Sequence, residues 1–145
     1  TGTGKHRITV FLPGKIESSS EGATMPNTNR KFVYNNRWDK FHLLYKDNGR
    51  IMYGERFSNI NGWVEGYQIG DGNYPVLSSY TDTSSDDMLA AVWVDGYKIN
   101  FARYTEENGW SKPCSLITNA IAGINAYYAP PSLVIDNSGL GHLAW

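Results

Sequence analysis

Hydrophobic and polar residues alternate through most of the chain, in short runs separated by Gly, Asn and Asp. Alternation with a period of two predicts β-strands, because successive side chains of a strand point to opposite faces of a sheet. No segment sustains the 3.6-residue apolar period of a helix, so we predict no substantial helix. The predicted strands are 5–12, 30–34, 40–45, 50–57, 63–69, 76–80, 89–94, 97–104, 110–117, 132–135 and 140–145.

The clearest strands follow one another between Met88 and Ile117. Asp95-Gly96 is predicted to be a two-residue hairpin of type I′, because both central residues of that turn need a positive φ. Asn108-Gly109 predicts the next turn. With strand 76–80 before it, this stretch forms a four-stranded unit.

The four-stranded unit recurs along the chain, once in residues 25–70 and again in residues 74–118. The aromatic residue of the second strand marks the repeat, since Tyr45 and Trp93 lie 48 residues apart and Trp93 and Trp145 lie 52 apart. Four strands every ~45–50 residues is the period of a β-propeller blade. We therefore predict an all-β, propeller-type fold of four-stranded antiparallel blades, with these three aromatic residues in the core.

The two ends of the chain supply the parts of a third unit. Residues 127–145 carry its first two strands, and residues 5–24 carry a strand that resembles the third strands of the other units. The sequence LGHLAW followed by TGTGKHRITVF repeats the pattern of AAVWV followed by DGYKINF. We predict a single domain, residues 1–145, of about three blade equivalents, with one blade split between the termini.

A split blade has a consequence for assembly. Propellers close with about four to eight blades, and an open unit leaves an unpaired edge strand. A blade built from the C-terminal strands of one chain and the N-terminal strand of another would pair that edge, giving a closed homo-oligomer or a head-to-tail filament. The other interpretation is that these residues belong to a longer propeller chain. The residues predicted to complete the blade between chains are Lys5, Arg7, Ile8, Val10, Leu140, Leu143 and Trp145.

The repeat resembles the sialidase-type (Asp-box, or BNR-like) propeller family. The resemblance rests on residues 131–145 and 89–117, and residues 41–69 also fit. The family loop has the form Ser-x-Asp-x-Gly-x-x-Trp, whereas residues 58–63 and 105–110 lack the Asp and two residues before the Trp. The resemblance implies the propeller fold, which occurs both in hydrolases and in non-catalytic proteins.

The Asn-Gly-Trp turns also resemble those of small oligomeric propeller lectins. That resemblance implies carbohydrate binding by an aromatic face with polar side chains beside it. Trp63 and Trp110, which follow these turns, and Arg56 and Arg103 are the candidate glycan-binding residues. The alternative is that each Trp packs between neighbouring blades.

A sialidase would need three arginines, a Tyr/Glu nucleophile pair and an acidic Asp. The chain contains these residue types, for example Glu55 and Tyr104, but no spacing singles them out. We therefore predict no catalytic residue. A fragment of a sialidase-like glycoside hydrolase is the alternative to a non-catalytic module.

Composition argues against several classes of partner and ligand. The net charge is −1 with dispersed basic residues, which argues against nucleic acid. No apolar run approaches the ~20 residues of a membrane span. The single cysteine, Cys114, excludes an intrachain disulfide and is predicted to be a small buried residue. No cofactor or metal is predicted, since the three His are far apart. The sequence thus predicts an extracellular, non-catalytic module that pairs with copies of itself and binds glycans.

Overall fold

The computed structural model describes residues 16–20, 22–24, 30–64, 66–81, 87–119 and 130–145. Within these ranges the protein is all-β, with three antiparallel sheets and no helix, which confirms the prediction from alternation. No described helix is long and apolar enough to cross a membrane. The predicted strand 5–12, with Lys5, Arg7, Ile8 and Val10, lies outside the described residues.

The first sheet is a four-stranded antiparallel meander whose strands follow chain order. The hairpin between its second and third strands is fully in register, from Lys40 opposite Phe57 to Asp47 opposite Arg50. Its turn residues Asn48 and Gly49 both have positive φ, as in a type I′ turn. The strands are β1 (Phe32–Asn35), β2 (Lys40–Asp47), β3 (Arg50–Phe57) and β4 (Tyr67–Asp71).

The second sheet has five strands and repeats this meander. Residues 110–117, predicted as one strand, form two short strands that both pair with the same neighbour. Pro113 lies in the break, and a proline has no N–H with which to continue the ladder. The strands are β5 (Asn73–Tyr80), β6 (Met88–Asp95), β7 (Lys98–Thr105), β8 (Gly109–Trp110) and β9 (Cys114–Ile117).

The third sheet is a hairpin of β10 (Ser132–Ile135) and β11 (Gly141–Ala144). Asp136 closes its turn, since its Oδ1 accepts the N–H groups of Ser138 and Leu140 at 2.9 and 3.0 Å. This is the Asx chemistry expected of a turn aspartate. Among the described residues β11 pairs only with β10, so its other edge is open.

Two predicted connections are wrong. The β6–β7 hairpin pairs Asp95 with Lys98, so its loop is Gly96-Tyr97 and not Asp95-Gly96; Gly96 has positive φ and Tyr97 does not. Residues 70–73, predicted as a loop, lie mostly in strands joined by Gly72 alone, with φ of +138°. A Cβ on Gly72 would meet the Val94 carbonyl, so only glycine fits this tight link.

The second sheet lies between the other two. One of its faces shares a core cluster with the first sheet, which joins Leu77, Ala91 and Trp93 to Val33 and Leu44. Its opposite face forms a smaller cluster with the third sheet. Hydrogen bonds also join neighbouring sheets. The Leu77 N–H of β5 donates to the carbonyl of Arg30, just before β1, and the Ile135 N–H of β10 donates to the Ser78 hydroxyl of β5.

Burial confirms part of the predicted core and corrects the rest. Tyr45 and Trp93 are buried, as predicted. Trp145 is 56% exposed, because it follows the hairpin whose outer edge has no described partner. Cys114 is also exposed, since it begins the short edge strand after Pro113. The core prediction therefore fails where a strand lies at the margin of its sheet.

Candidate functional site

A buried cluster of aromatic and charged side chains lies between the first and second sheets. Tyr53 contributes from β3 and Tyr104 from β7, and their ring centroids are 5.5 Å apart. Both hydroxyls donate to Oε2 of Glu55, at 2.9 and 3.3 Å. His42 stacks beside Tyr53, and Trp110 packs edge-on to it. We call these residues the inter-sheet cluster.

The hydrogen bonds of the cluster form a chain with a defined direction. Nδ1 of His42 lies 2.7 Å from the Tyr53 hydroxyl. Since that hydroxyl donates its proton to Glu55, the His42 Nδ1 must carry a proton and donate to it. This arrangement leaves Nε2 of the neutral ring as an acceptor, and it has no partner among the described residues.

Burial sets the protonation states in the cluster. Desolvation, helped by the positive charge of Lys40, lowers the pKa of His42 to about 4. Burial and then the negative charge of Glu55 raise the pKa values of Tyr53 and Tyr104. The histidine and both phenols are therefore uncharged at neutral pH, while Lys40 balances the carboxylate from 3.8 Å.

Tyr53 and Tyr104, the two tyrosines that bind Glu55 in the described part of the chain, lie in the interior. Tyr53 has no exposed surface, and Tyr104 is 6% exposed. A nucleophile of a glycoside hydrolase must contact its substrate. The hydrogen bond from Tyr104 in β7 to Glu55 in β3 joins the two sheets, while the bond from Tyr53 to Glu55 lies within β3.

Trp110 lies against the inter-sheet cluster, 5.2 Å from the Tyr53 ring and 5.5 Å from the Tyr104 ring between centroids. Its Nε1 is buried and has no partner among the described residues. Trp110 therefore packs between neighbouring sheets, as the alternative interpretation of the sequence requires. The Trp110 side chain is partly buried against this cluster, so only part of its ring is open to a ligand.

Arg56 and Trp63 lie elsewhere, on the face of the first sheet that points away from the second. The Arg56 guanidinium covers the Phe41 ring at 5.1 Å, and Trp63 packs edge-on to Phe32 at 6.2 Å. Phe32 and Tyr34 of this face are half exposed. The residues that we call the outer face of the first sheet are Phe32, Tyr34, Phe41, Leu43 and Arg56.

Arg103 lies at a third place, a shallow cleft beside the turns of the second sheet. The cleft has a volume of about 590 Å³. Glu106 on its wall accepts an ion pair from Lys40 at 2.8 Å, which ties the cleft to the first sheet. The residues that define this rim cleft are Trp38, Tyr80, Arg103, Glu106, Glu107 and Asn108.

The residues predicted for blade completion that the structure describes lie on the third sheet. Leu140 and Trp145 are 60% and 56% exposed. Leu143 instead packs on the second sheet beside Val76 and Val92. The hairpin is thus fixed to its own chain by one face, while its opposite face and its outer edge remain open within the described residues.

The four predicted glycan-binding residues are therefore not brought together. Arg56 and Trp63 share the outer face of the first sheet, Trp110 lies between sheets, and Arg103 borders the rim cleft. The sequence missed the contribution of Trp38, which packs at 5.6 Å against both His42 and Tyr104. Its position inside a turn, with no counterpart at the matching place of the second unit, left no periodic signal.

No described group of three or more His, Cys, Asp or Glu side chains is placed to hold a metal ion. In comparisons with protein-family models, curated proteins and solved structures, nothing matched this chain. The function must therefore be argued from the geometry of the sheets and their open surfaces.

Proposed function

We propose that this protein is a non-catalytic, extracellular propeller-type module that assembles by completing a blade between copies of the chain. The equivalence of the first two sheets supports this. The Val64 N–H donates to the Glu55 carbonyl at 2.8 Å, and the Ser111 N–H donates to the Arg103 carbonyl at 2.7 Å. These bonds join matching positions of the two units, so the repeat seen in sequence extends to backbone geometry.

The open edge of β11 carries the assembly proposal. An unpaired edge strand is a template for pairing with another chain, and stable proteins usually cover it. Strand 5–12 has the sequence character of the third strand that would follow β11 in a complete unit. In this proposal, strand 5–12 of one copy pairs with β11 of the next, which makes a closed ring or a filament.

Charged substitutions in strand 5–12 test this proposal. In the double variant Ile8→Asp and Val10→Asp, we expect the assembly to dissociate, because two carboxylates would have to be buried in the completed blade. Sedimentation velocity measures the change, and circular dichroism checks that the strands persist. Tyr97→Asp, at an exposed turn, is the matched control. An assembly that survives the double variant unchanged would contradict strand completion.

Glycan binding is a second candidate function, and the rim cleft favours it. Its wall combines a Trp ring with charged and amide side chains, which is the mixture that saccharide sites use to contact apolar sugar faces and hydroxyl groups. In this proposal Arg103 binds the sugar at the cleft. Trp110 acts only indirectly, through the packing beneath it.

A glycan array tests whether Arg103 binds a saccharide in the rim cleft. Arg103→Ala is expected to weaken binding by about tenfold, the loss of one charged hydrogen bond. Lys98→Ala, another exposed basic residue of β7, is expected to bind as the unmodified chain does. If the chain binds no glycan, or if both variants bind equally, the cleft is not a saccharide site.

A further inference from the structure

Each outer sheet leaves one face without a covering sheet among the described residues. On the first sheet this is the outer face, where Phe32 is 50% exposed. On the third sheet it is the face that carries Val134, which is 52% exposed, with His142 opposite it in the register. Each end of the stack thus has one half-exposed face that combines apolar and polar side chains.

The register shows which positions of the three sheets are equivalent. Phe32 pairs with Leu43, Leu77 pairs with Ala91, and Leu133 pairs with Leu143. Each second-strand partner lies two residues before the aromatic residue that marks the repeat, so the three partners are equivalent. The three first-strand residues that pair with them are therefore equivalent as well. We call the face that carries them the inserting face, and the opposite face, with Val33, Val76 or Val134, the accepting face.

Both interfaces within the chain join an inserting face to an accepting face. Leu77 of the second sheet packs in one cluster with Val33 of the first. Leu133 of the third sheet packs with Val76 of the second. Each sheet thus presents its inserting face to the sheet before it and its accepting face to the sheet after it.

By this rule the two uncovered faces are complementary. The outer face of the first sheet is an inserting face, and the uncovered face of the third sheet is an accepting face. We propose that the outer face of the first sheet in one copy packs on the Val134 face of the third sheet in a second copy. This inference rests on the proposed assembly and adds the pair of faces through which it forms.

The described residues before the first sheet lie on the same side as the proposed contact. The Ile16 side chain lies over Gly54, which belongs to the outer face through its pairing with Leu43. Ser18 and Ser19 bind the turn that contains Asp47 and hold this segment in place. Residues 16–19 therefore border the proposed contact.

The proposed contact is head-to-tail, and cross-linking can therefore identify it. Two single-cysteine variants, Phe32→Cys and Val134→Cys, are made in a Cys114→Ser background, which removes the exposed native thiol. Each is treated with a short bis-maleimide alone and after mixing. We expect a covalent dimer in the mixture at about tenfold the yield of either variant alone, because association raises the effective thiol concentration. Tyr97→Cys mixed with Val134→Cys is the matched control.

Each result decides between the alternatives. Dimers formed by Phe32→Cys alone would mean that like faces pack together, which overturns the proposal. A double variant, Phe32→Cys with Val134→Cys, that cross-links within one chain would overturn it as well, since the chain would then cover its own face. If the chain assembles but the mixture gives no cross-link, the proposed pair of faces is wrong, while strand completion between copies is not contradicted. A chain that stays monomeric in sedimentation refutes the proposed function itself.

Discussion

The side chain of His42 is buried without charge, and this makes stability depend on pH. Its pKa is about 4 in the folded protein against 6.5 when exposed, so the unfolded state binds more protons between these values. Stability is therefore complete above pH 6.5 and falls as the pH drops toward 4. A shift of this size corresponds to about 3 kcal/mol.

Urea denaturation at pH 7 and pH 4.5 measures the effect. The unmodified chain should lose most of this free energy of unfolding between the two values. His42→Phe, which keeps a ring of similar shape, should be less stable or equal at pH 7 but should lose much less on acidification. Equal losses in both proteins would show that another group controls the acid transition.

Trp93 is the side chain on which the contact of the first two sheets depends most. It has no exposed surface, and its Nε1 donates to the Asp71 carbonyl at 2.8 Å. Gly70 leaves the space that the ring fills. Trp93→Ala should cost about 3–5 kcal/mol in the free energy of unfolding, because it creates a cavity and removes the donor of the Asp71 carbonyl. Tyr97→Ala, at an exposed turn, should change it by less than ~0.5 kcal/mol.

Sequence predicted Trp93 correctly because strand alternation places every second side chain on the same face. For Trp110 it left two interpretations open, a glycan-binding position and packing between neighbouring blades. Trp63 and Trp110 hold matching positions in the two units, but their surroundings differ. Trp110 packs against Tyr53 between the two sheets, whereas Trp63 packs against Phe32 on the outer face of the first sheet. Which face of a repeat is covered depends on the neighbouring unit, and a local pattern does not contain that information.

At the scale of single elements, the hairpin turns control which strands pair. Gly49 has a φ of +77° and no atom within 4 Å of the place where a Cβ would lie, so a side chain there meets only backbone strain. Gly49→Ala should therefore cost about 1–2 kcal/mol. Gly141 has no positive φ, and an added Cβ would make an ordinary contact at 3.9 Å with Leu133.

The two glycine variants form a matched pair for thermal or urea denaturation. Gly141→Ala is expected to leave stability unchanged or to raise it slightly, since the unfolded chain loses freedom without strain in the fold. An equal loss in both variants would contradict the difference in backbone conformation between Gly49, which has a positive φ, and Gly141, which does not.

Most strands could be predicted from alternation and turn residues, and β3 and β10 have the bounds expected. The predictions that were wrong concern a proline within a strand and a glycine between two strands. Pro113 divides the predicted strand 110–117, and the single-residue link at Gly72 replaces a predicted loop. The first error follows from extending a strand through a proline, which has no N–H for the ladder, and the second from assigning Gly72 to a loop, although it allows two strands to meet.

In the whole molecule, the order in which the three sheets stack determines which of their faces are covered. The second sheet is covered on both faces, while the first and third each keep one half-exposed face. The sequence predicted that the two ends would be incomplete, because its repeat is divided between them. It could not predict which faces are exposed, since that depends on the stacking of distant strands.

The mass of the chain in solution shows whether its copies assemble. Native mass spectrometry or light scattering over a range of concentrations would measure it. Blade completion between copies predicts multiples of the 16.2 kDa chain, with the fraction of assembled protein rising with concentration. A folded chain that remains a monomer at every concentration would contradict the account.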